Sequence, residues 1–241
     1  MCIRDSPSFV PSYWTVMIFF WFCYATIAQM WNMLAGYTGL ISLGQQIFIG
    51  LGAYTVAVAS IFWGFPIWLG VILGGIISVI FAAAIAVPTF RMKGIYFAIG
   101  TLAISEAVRI WFMNWEAVGA GSGLYIKPAF ELTILDFYYI SFAICFGSLF
   151  LMQMILKSKF GLALKAIRDN EISASTSGVD IFKSKLIIFM VAAFITSIIG
   201  SYFYLYQVYI HPSNVFGMQW IIAQFASVVI GGIGTIIGPL L

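Results

Sequence analysis

Two long stretches of the chain contain no charged side chain. Residues 6–90 and residues 186–241 hold no Asp, Glu, Lys or Arg, and the whole chain is 63% hydrophobic and 8% charged. A soluble domain carries roughly a quarter charged residues, so these stretches cannot form a surface that faces water. A helix needs about 20 apolar residues to cross a bilayer, so the first stretch has room for about three crossings. The sequence therefore predicts an integral membrane protein.

The apolar segments favour helices over the strands of a membrane barrel. Barrel strands alternate apolar and polar residues over about ten positions, whereas these segments are apolar on all faces. Seven hydrophobic segments are predicted, at residues 13–34, 45–63, 66–87, 95–113, 137–156, 186–209 and 219–241. The predicted fold is all-α: a polytopic transmembrane helical bundle in which residues 1–241 form a single domain.

Basic residues indicate which loops lie in the cytoplasm, because Lys and Arg collect on that side of membrane proteins. Two lie between the third and fourth segments, and six lie between the fifth and sixth: Lys157, Lys159, Lys165, Arg168, Lys183 and Lys185. The loop between the fourth and fifth segments holds three acids and one lysine, so it is predicted to face outward. The net charge of +3 is too small to suggest nucleic-acid binding. The alternation predicts a multi-pass protein whose 157–185 loop is cytoplasmic.

The second segment is short and follows a glycine-rich, uncharged stretch at residues 35–45. Two interpretations are open: a helix broken at membrane depth, or a tight turn between two helices. Irregular backbone in lipid is tolerated only where protein or a water-filled cavity lines it, so a broken helix would indicate a transport pathway. The candidate pathway residues are Ser42, Gln45 and Gln46.

Residues 157–185, here called the basic loop, are predicted to form two short helices. Apolar residues recur at helical spacing on one face: Phe160, Leu164 and Ile167. Asn170 is a good cap for a second helix that begins at Glu171, and Gly178 can end that helix in the left-handed conformation. The alternative is a solvated linker on lipid headgroups. A linker needs neither the apolar face nor the caps.

The residues that catalysis requires are scarce. His211 is the single histidine, and the three cysteines have no metal-binding spacing, so neither a metal site nor a histidine-dependent nucleophile is expected. No G-x-x-x-x-G-K-[ST] run is present, so the chain has no phosphate-binding loop for ATP. An enzyme that acts within the membrane is therefore disfavoured.

Two opposite charges interrupt the fourth segment. Glu106 and Arg109 are three residues apart and so share a helical face. A single charge near the middle of a membrane helix costs about 2.5–3.5 kcal/mol, so each needs a partner or a polar cavity. A structural ion pair is the favoured interpretation, and contact with a substrate is the alternative.

Five blocks of sequence follow one another in an order that identifies a family. They are AGYTGLISLGQ at residues 35–45, GIYFAIGTLA at 94–103, GSGL at 121–124, GLALKAIRDNE at 161–171 and IGGIGTIIGP at 230–239. Together they resemble the permease subunit, of the LivM type, of branched-chain amino acid ABC importers. The blocks are spread over most of the chain, so the resemblance is specific.

The resemblance implies an ATP-binding-cassette importer that moves branched-chain amino acids, or related small amides, across a bacterial or archaeal inner membrane by alternating access. It implies a second permease subunit, two cytoplasmic ATPase subunits and an extracytoplasmic substrate-binding protein as partners, in contact with membrane lipid. ATP would bind in the ATPase subunits, and no cofactor is expected in this chain. Family members usually extend further, so the chain is expected to be a fragment at both ends.

The resemblance also implies that the basic loop docks on the ATPase. The residues concerned are Arg168, Asp169, Asn170, Glu171 and Gly178. Importer permeases often place a glycine six residues after a glutamate here, whereas Gly178 lies seven after Glu171. The alternative function is an ion-coupled secondary transporter, which needs a buried acid for its coupling ion. The acid available, Glu106, is already assigned to an ion pair.

Overall fold

The computed structural model describes residues 12–126 and 132–240, and it is built almost entirely of helices. The helices are α1 Ser12–Thr38, α2 Gln46–Ile61, α3 Ile67–Thr89, α4 Ile95–Asn114, α5 Ile134–Lys157, α6 Lys159–Asp169, α7 Glu171–Thr176, α8 Ile181–Gln207, α9 Pro212–Val215 and α10 Gln219–Gly231. Two short strands, β1 Leu124–Tyr125 and β2 Tyr209–Ile210, pair antiparallel, with Leu124 opposite Ile210.

Six helical stretches are long and apolar enough to span a bilayer, and α2 is a shorter apolar helix. The predicted all-α polytopic bundle is therefore confirmed. Large apolar side chains on the outer faces of α4 and α5 remain exposed, including Ile99, Trp111 and Phe150. In a bilayer these side chains meet lipid, so their exposure is no defect of packing.

The helices α2, α3 and α8 pack with their backbones in close approach. A methyl group added at Gly52 in α2 would lie 2.3 Å from the backbone oxygen of Ser197 in α8. One added at Gly74 in α3 would lie 3.1 Å from the Cα of Gly52, and one at Gly200 in α8 would lie 2.8 Å from the Cα of Ile49. Small residues at helix contacts allow this in membranes, where packing drives association.

The second crossing is made by a short helix and a non-helical segment. Its helix, α2, has 16 residues and spans about 24 Å, less than the roughly 30 Å of the bilayer core. Helix α1 ends at Thr38, Gly39 has φ of +72°, and residues 39–45 are not helical. The indole Nε1 of Trp31 donates to the carbonyl of Ser42 over 2.7 Å.

Trp31 lies about 10 Å before the end of α1, so residues 39–45 turn back along that helix into the membrane. This stretch is called the re-entrant segment. Of the two interpretations of the sequence, the broken crossing is the one that the structure shows.

The last predicted hydrophobic segment is not one continuous helix. Within residues 219–240, α10 ends at Gly231 and residues 232–237 are not helical. Gly232 and Gly234 have φ of +97° and +81°, which a helix cannot include. The Oδ1 atom of Asn32 accepts the backbone N–H of Gly234 over 2.8 Å, and its Nδ2 donates to the carbonyl of Thr235 over 2.7 Å. The last of the six long apolar stretches combines α9 and α10, from Pro212 to Gly231.

The helix predicted at residues 186–209 begins earlier, at Ile181. The carboxylate of Asp180 caps it by accepting the backbone N–H of Lys183 over 3.0 Å. This hydrogen bond holds the pKa of Asp180 below its usual range. The sequence places residues 181–185 in the basic loop instead, because Lys183 and Lys185 lie among them.

Candidate functional site

The N-terminus of α2 lies in a group of buried polar side chains. The group is called the polar cluster and consists of Ser42, Gln45, Gln46, Thr101, Ser105 and Thr196. Its members come from the re-entrant segment, α2, α4 and α8, and none is more than 2% exposed. The structure thus brings together the three pathway residues predicted from the sequence and adds three that were missed.

Hydrogen bonds hold the re-entrant segment in this position. The backbone N–H of Leu43 donates to Oγ1 of Thr101 over 3.0 Å, and that of Gly44 donates to Oγ of Ser42 over 3.3 Å. A methyl group added at Gly44 would lie 2.6 Å from the backbone oxygen of Thr101. Protein atoms therefore satisfy these backbone groups, as non-helical chain in a membrane requires.

The two glutamines extend the network to both neighbouring helices. The Nε2 atom of Gln46 donates to Oγ of Ser105 in α4 over 2.6 Å, and that of Gln45 donates to Oγ1 of Thr196 in α8 over 3.1 Å. Both side-chain oxygens, Oε1 of Gln45 and Oε1 of Gln46, are buried without a hydrogen-bond partner among the described residues. A buried polar atom of this kind costs about 1–3 kcal/mol, so both acceptors favour a donor from water or a solute.

The polar cluster lies level with the middle of the membrane-spanning helix α4. Ser105 follows the first residue of α4, Ile95, by ten positions, which corresponds to about 15 Å along the helix axis. This is half of the roughly 30 Å hydrocarbon core. A set of polar groups at this depth, beside an interrupted helix, is the arrangement in which transporters hold their substrates.

The basic loop forms two capped helices, α6 and α7. The Oδ1 atom of Asn170 accepts the backbone N–H groups of Ile172 and Ser173 over 2.9 and 3.1 Å, which caps the start of α7. Gly178 follows α7 with φ of +83°. These are the conformations expected from the sequence. The apolar face of α6 is covered, since Leu164 and Ile167 are buried.

Two charged contacts join the basic loop to the membrane helices. The Nη1 atom of Arg168 donates to the backbone oxygen of Gly36, near the end of α1, over 3.1 Å. Arg168 also forms an exposed salt bridge of 2.9 Å with Asp169. Glu171 pairs with Lys185, whose side chain is 9% exposed, in the second turn of α8. The predicted coupling residues Arg168 and Glu171 therefore contact the two helices that flank the re-entrant segment.

Glu106 and Arg109 form the predicted ion pair, with 2.7 Å between Nη2 and Oε2. They line a cavity of about 410 Å³ with Ser213, Met218 and Gln219, from α9 and the start of α10. Ser105 precedes Glu106 in sequence but contacts Gln46 instead. The ion pair thus lies on a different face of α4 from the polar cluster.

The sequence indicates the three additional residues, Thr101, Ser105 and Thr196, only weakly. Thr101 and Ser105 are four residues apart in α4 and therefore share a face, whereas Thr196 is one of several small polar residues in α8, beside Ser197, and nothing local singles it out. Their convergence depends on how α4 and α8 pack, which spacing alone does not give. Among residues 12–126 and 132–240, no three His, Cys, Asp or Glu side chains are grouped as a metal site requires.

Comparison with known proteins gives a consistent result. The family model described as branched-chain amino acid transport system, permease component, matches residues 15–241. The high-affinity branched-chain amino acid transport system permease protein LivM of Salmonella typhimurium is 27% identical, in an alignment that covers 85% of this chain and 55% of that protein. The Escherichia coli protein of the same name is 26% identical, with the same coverage.

A third relative has similar identity and higher coverage. The probable branched-chain amino acid transport permease protein LivM of Methanocaldococcus jannaschii is 26% identical, over 90% of this chain and 75% of that protein. No solved structure matches the chain. The chain spans about half the length of the two bacterial relatives.

Proposed function

The chain belongs to the family of branched-chain amino acid transport permease components, and from this premise we propose that it is the membrane-spanning permease subunit of an ATP-driven importer. Its substrates are branched-chain amino acids or related small amides. Its partners are a second permease subunit, two cytoplasmic ATPase subunits that bind ATP, and an extracytoplasmic substrate-binding protein. The chain has no catalytic residues of its own, and it lies in an inner membrane.

The polar cluster is the part of the translocation pathway that this chain supplies. The unpartnered oxygens of Gln45 and Gln46 are acceptors for the ammonium or amide N–H groups of a small solute. They are uncharged, so they bind a passing solute without the strong attraction that would trap it. In this conformation the cluster is buried, and access from either side requires movement of the surrounding helices.

The basic loop transmits that movement. Ile172 on α7 is 75% exposed, so the short helix offers an apolar side chain to an ATPase subunit. Displacement of α7 and α6 would act on α8 through the Glu171–Lys185 pair and on α1 through the Arg168–Gly36 contact. These two helices flank the re-entrant segment. The linkage from α7 to the polar cluster is the observation that carries the proposal.

Uptake measurements on proteoliposomes test the function. Vesicles with the assembled complex, ATP inside them on the ATPase side and the binding protein on the other side should concentrate radiolabelled leucine. Vesicles with this chain alone should not, even under an imposed proton or sodium gradient. Gln45→Leu removes an unpartnered acceptor and should lower uptake by the complex severalfold. Gln207→Leu, at the exposed outer end of α8, is the matched control and should leave uptake unchanged.

Two other outcomes would contradict different parts of this proposal. Gradient-driven uptake by the chain alone would establish an ion-coupled secondary transporter and exclude the importer. Equal uptake by the Gln45→Leu and Gln207→Leu complexes would leave the importer in place but show that the polar cluster does not contact the substrate.

A further inference from the structure

A cavity of about 520 Å³ lies where the basic loop meets the ends of α1 and α5. Three cationic side chains and three others form the part of its lining that matters here: Lys157, Lys165, Arg168, Tyr37, Leu156 and Ile236. It is called the basic cavity. Its volume is within the roughly 300–1,000 Å³ typical of ligand pockets, and no acidic side chain lines it among the described residues.

The charges around the basic cavity are not balanced. Within residues 12–126 and 132–240, Lys157 and Lys165 form no salt bridge, and Arg168 is paired with Asp169, which is exposed and outside the lining. Like charges around one space repel each other, and an anion between them would remove that repulsion. An anion there would also meet donors from at least two elements, the end of α5 and helix α6.

The position of the basic cavity identifies the depth at which its ligand must lie. Lys157 is the last residue of the membrane-spanning helix α5, and Tyr37 is one residue from the end of the membrane-spanning helix α1. Two spans end at the cavity, so it lies at the level of the lipid headgroups rather than in bulk water. Leu156 and Ile236 add apolar wall beside the cations. This combination fits a ligand with an anionic head and an apolar body.

We propose that the basic cavity binds the phosphodiester headgroup of an anionic glycerophospholipid. The phosphate oxygens accept hydrogen bonds from Lys157, Lys165 and Arg168, and the start of the acyl chains lies against Leu156 and Ile236. Basic pockets at the ends of membrane helices bind anionic lipids in this manner. Because Arg168 also contacts Gly36, a bound lipid holds α6 against the end of α1. The lipid is thus part of the structure that supports the re-entrant segment.

Lipid titration tests this directly. The complete membrane protein, purified with its partner subunits in neutral detergent, is titrated with fluorescent phosphatidylglycerol and, separately, with fluorescent phosphatidylcholine. Saturable binding is expected for phosphatidylglycerol alone. Each lysine beside an anionic headgroup adds a factor of about five in affinity, so Lys157→Gln with Lys165→Gln should weaken binding about 25-fold.

Matched variants separate a specific site from general surface charge. Lys159→Gln with Lys183→Gln removes two exposed lysines of the same loop that do not line the cavity, and should leave binding unchanged. Lys157→Arg with Lys165→Arg keeps both charges and should also bind. This second pair shows whether a loss of binding comes from lost charge or from a misfolded protein.

Three results would overturn the proposal. The first is equal weakening by the two Lys→Gln pairs, which would make the binding nonspecific. The second is displacement of the lipid by millimolar inorganic phosphate, with phosphate binding of the same affinity, which would make the cavity a site for a free anion. The third concerns the protein that carries both Lys157→Gln and Lys165→Gln. If it bound the lipid normally but no longer copurified with an ATPase subunit, the basic cavity would be a contact site for that subunit. None of these measurements depends on transport, so their failure would leave the proposed function untouched.

Discussion

The α2–α3–α8 contacts and the basic loop are stabilised by different kinds of interaction. In the first region, backbones approach across glycines such as Gly52 and Gly74, and the added methyl groups of larger residues have no room. In the second, α6 buries Leu164 and Ile167, and the short capped helices are further joined to the bundle by the Glu171–Lys185 pair and the Arg168–Gly36 contact. Close packing allows few alternative arrangements, whereas hydrogen bonds between charged groups can exchange partners. The first region is therefore the fixed part of the molecule, and the second is suited to movement.

Gly52→Val should cause the largest effect, because its Cβ would lie 2.3 Å from the backbone oxygen of Ser197, which has no side-chain freedom to yield. Overpacking costs about 1–3 kcal/mol and more where backbone must move, so we expect little folded protein in the membrane. The control is Gly147→Val in α5, where an added methyl group meets nothing within 4 Å. Expression and size-exclusion profiles measure both. Equal yields would show that the α2–α8 contact is adaptable.

Removal of Glu171 should lower the free energy of unfolding more than removal of its partner Lys185. Glu171→Ala leaves the ammonium of Lys185 buried without its partner, which should cost about 1–3 kcal/mol. Lys185→Met leaves Glu171, whose side chain is 41% exposed, to be solvated, and should cost less than about 1 kcal/mol. Thermal unfolding of the two proteins in detergent makes the comparison. The opposite ranking would mean that the pair is not held by the burial of Lys185.

Gly178→Val should lower ATP hydrolysis by the assembled complex without lowering expression. A β-branched residue at φ of +83° is strained by about 1–2 kcal/mol, but the added side chain meets no neighbour within 4 Å. Expression should therefore persist, while ATP hydrolysis that depends on substrate and binding protein should fall. Gly178→Asn is the control, because asparagine tolerates this conformation. Were both variants to keep wild-type hydrolysis, the basic loop would be a passive linker.

The smallest effect is expected for the exposed ion pair of the same loop. Lys183 and Asp180 are 3.0 Å apart, with side chains 76% and 50% exposed. Solvent screens surface pairs of this kind, so Lys183→Ala should leave the melting temperature within error of wild type. A shift as large as that of Glu171→Ala would remove the distinction between the buried and the exposed pair.

The sequence was most informative where a single local rule decides the structure. Long apolar runs indicated the spans, and the caps at Asn170 and Gly178 follow from side-chain chemistry and backbone conformation alone. For the re-entrant segment, the sequence leaves two interpretations open, a broken helix and a tight turn. Its glycines indicate that the helix ends, but they do not indicate the direction of the chain that follows. The contact between Trp31 and Ser42 decides this, and it depends on the packing of α1.

The parts of the candidate site that were missed depend on long-range contacts. Thr196 meets Gln45 across 151 positions of the chain, and no local pattern in α8 indicates this partner. The end of α10 is not predicted because residues 219–241 carry no charged side chain, so charge marks no boundary there. That boundary depends on Asn32, which bonds the turn at Gly234 from more than 200 residues earlier.

The bonds of Asn32 also order the events of biogenesis. Its amide is fully buried in α1 and has both of its partners, the N–H of Gly234 and the carbonyl of Thr235, in a stretch synthesised much later. While the ribosome is still adding the intervening helices, that amide lies in the bilayer without these partners, at a cost of about 1–3 kcal/mol for each lost bond. Insertion of α1 therefore precedes its final docking, and the junction of α1, Arg168 and the Gly234 turn closes only after the chain has been synthesised beyond α10.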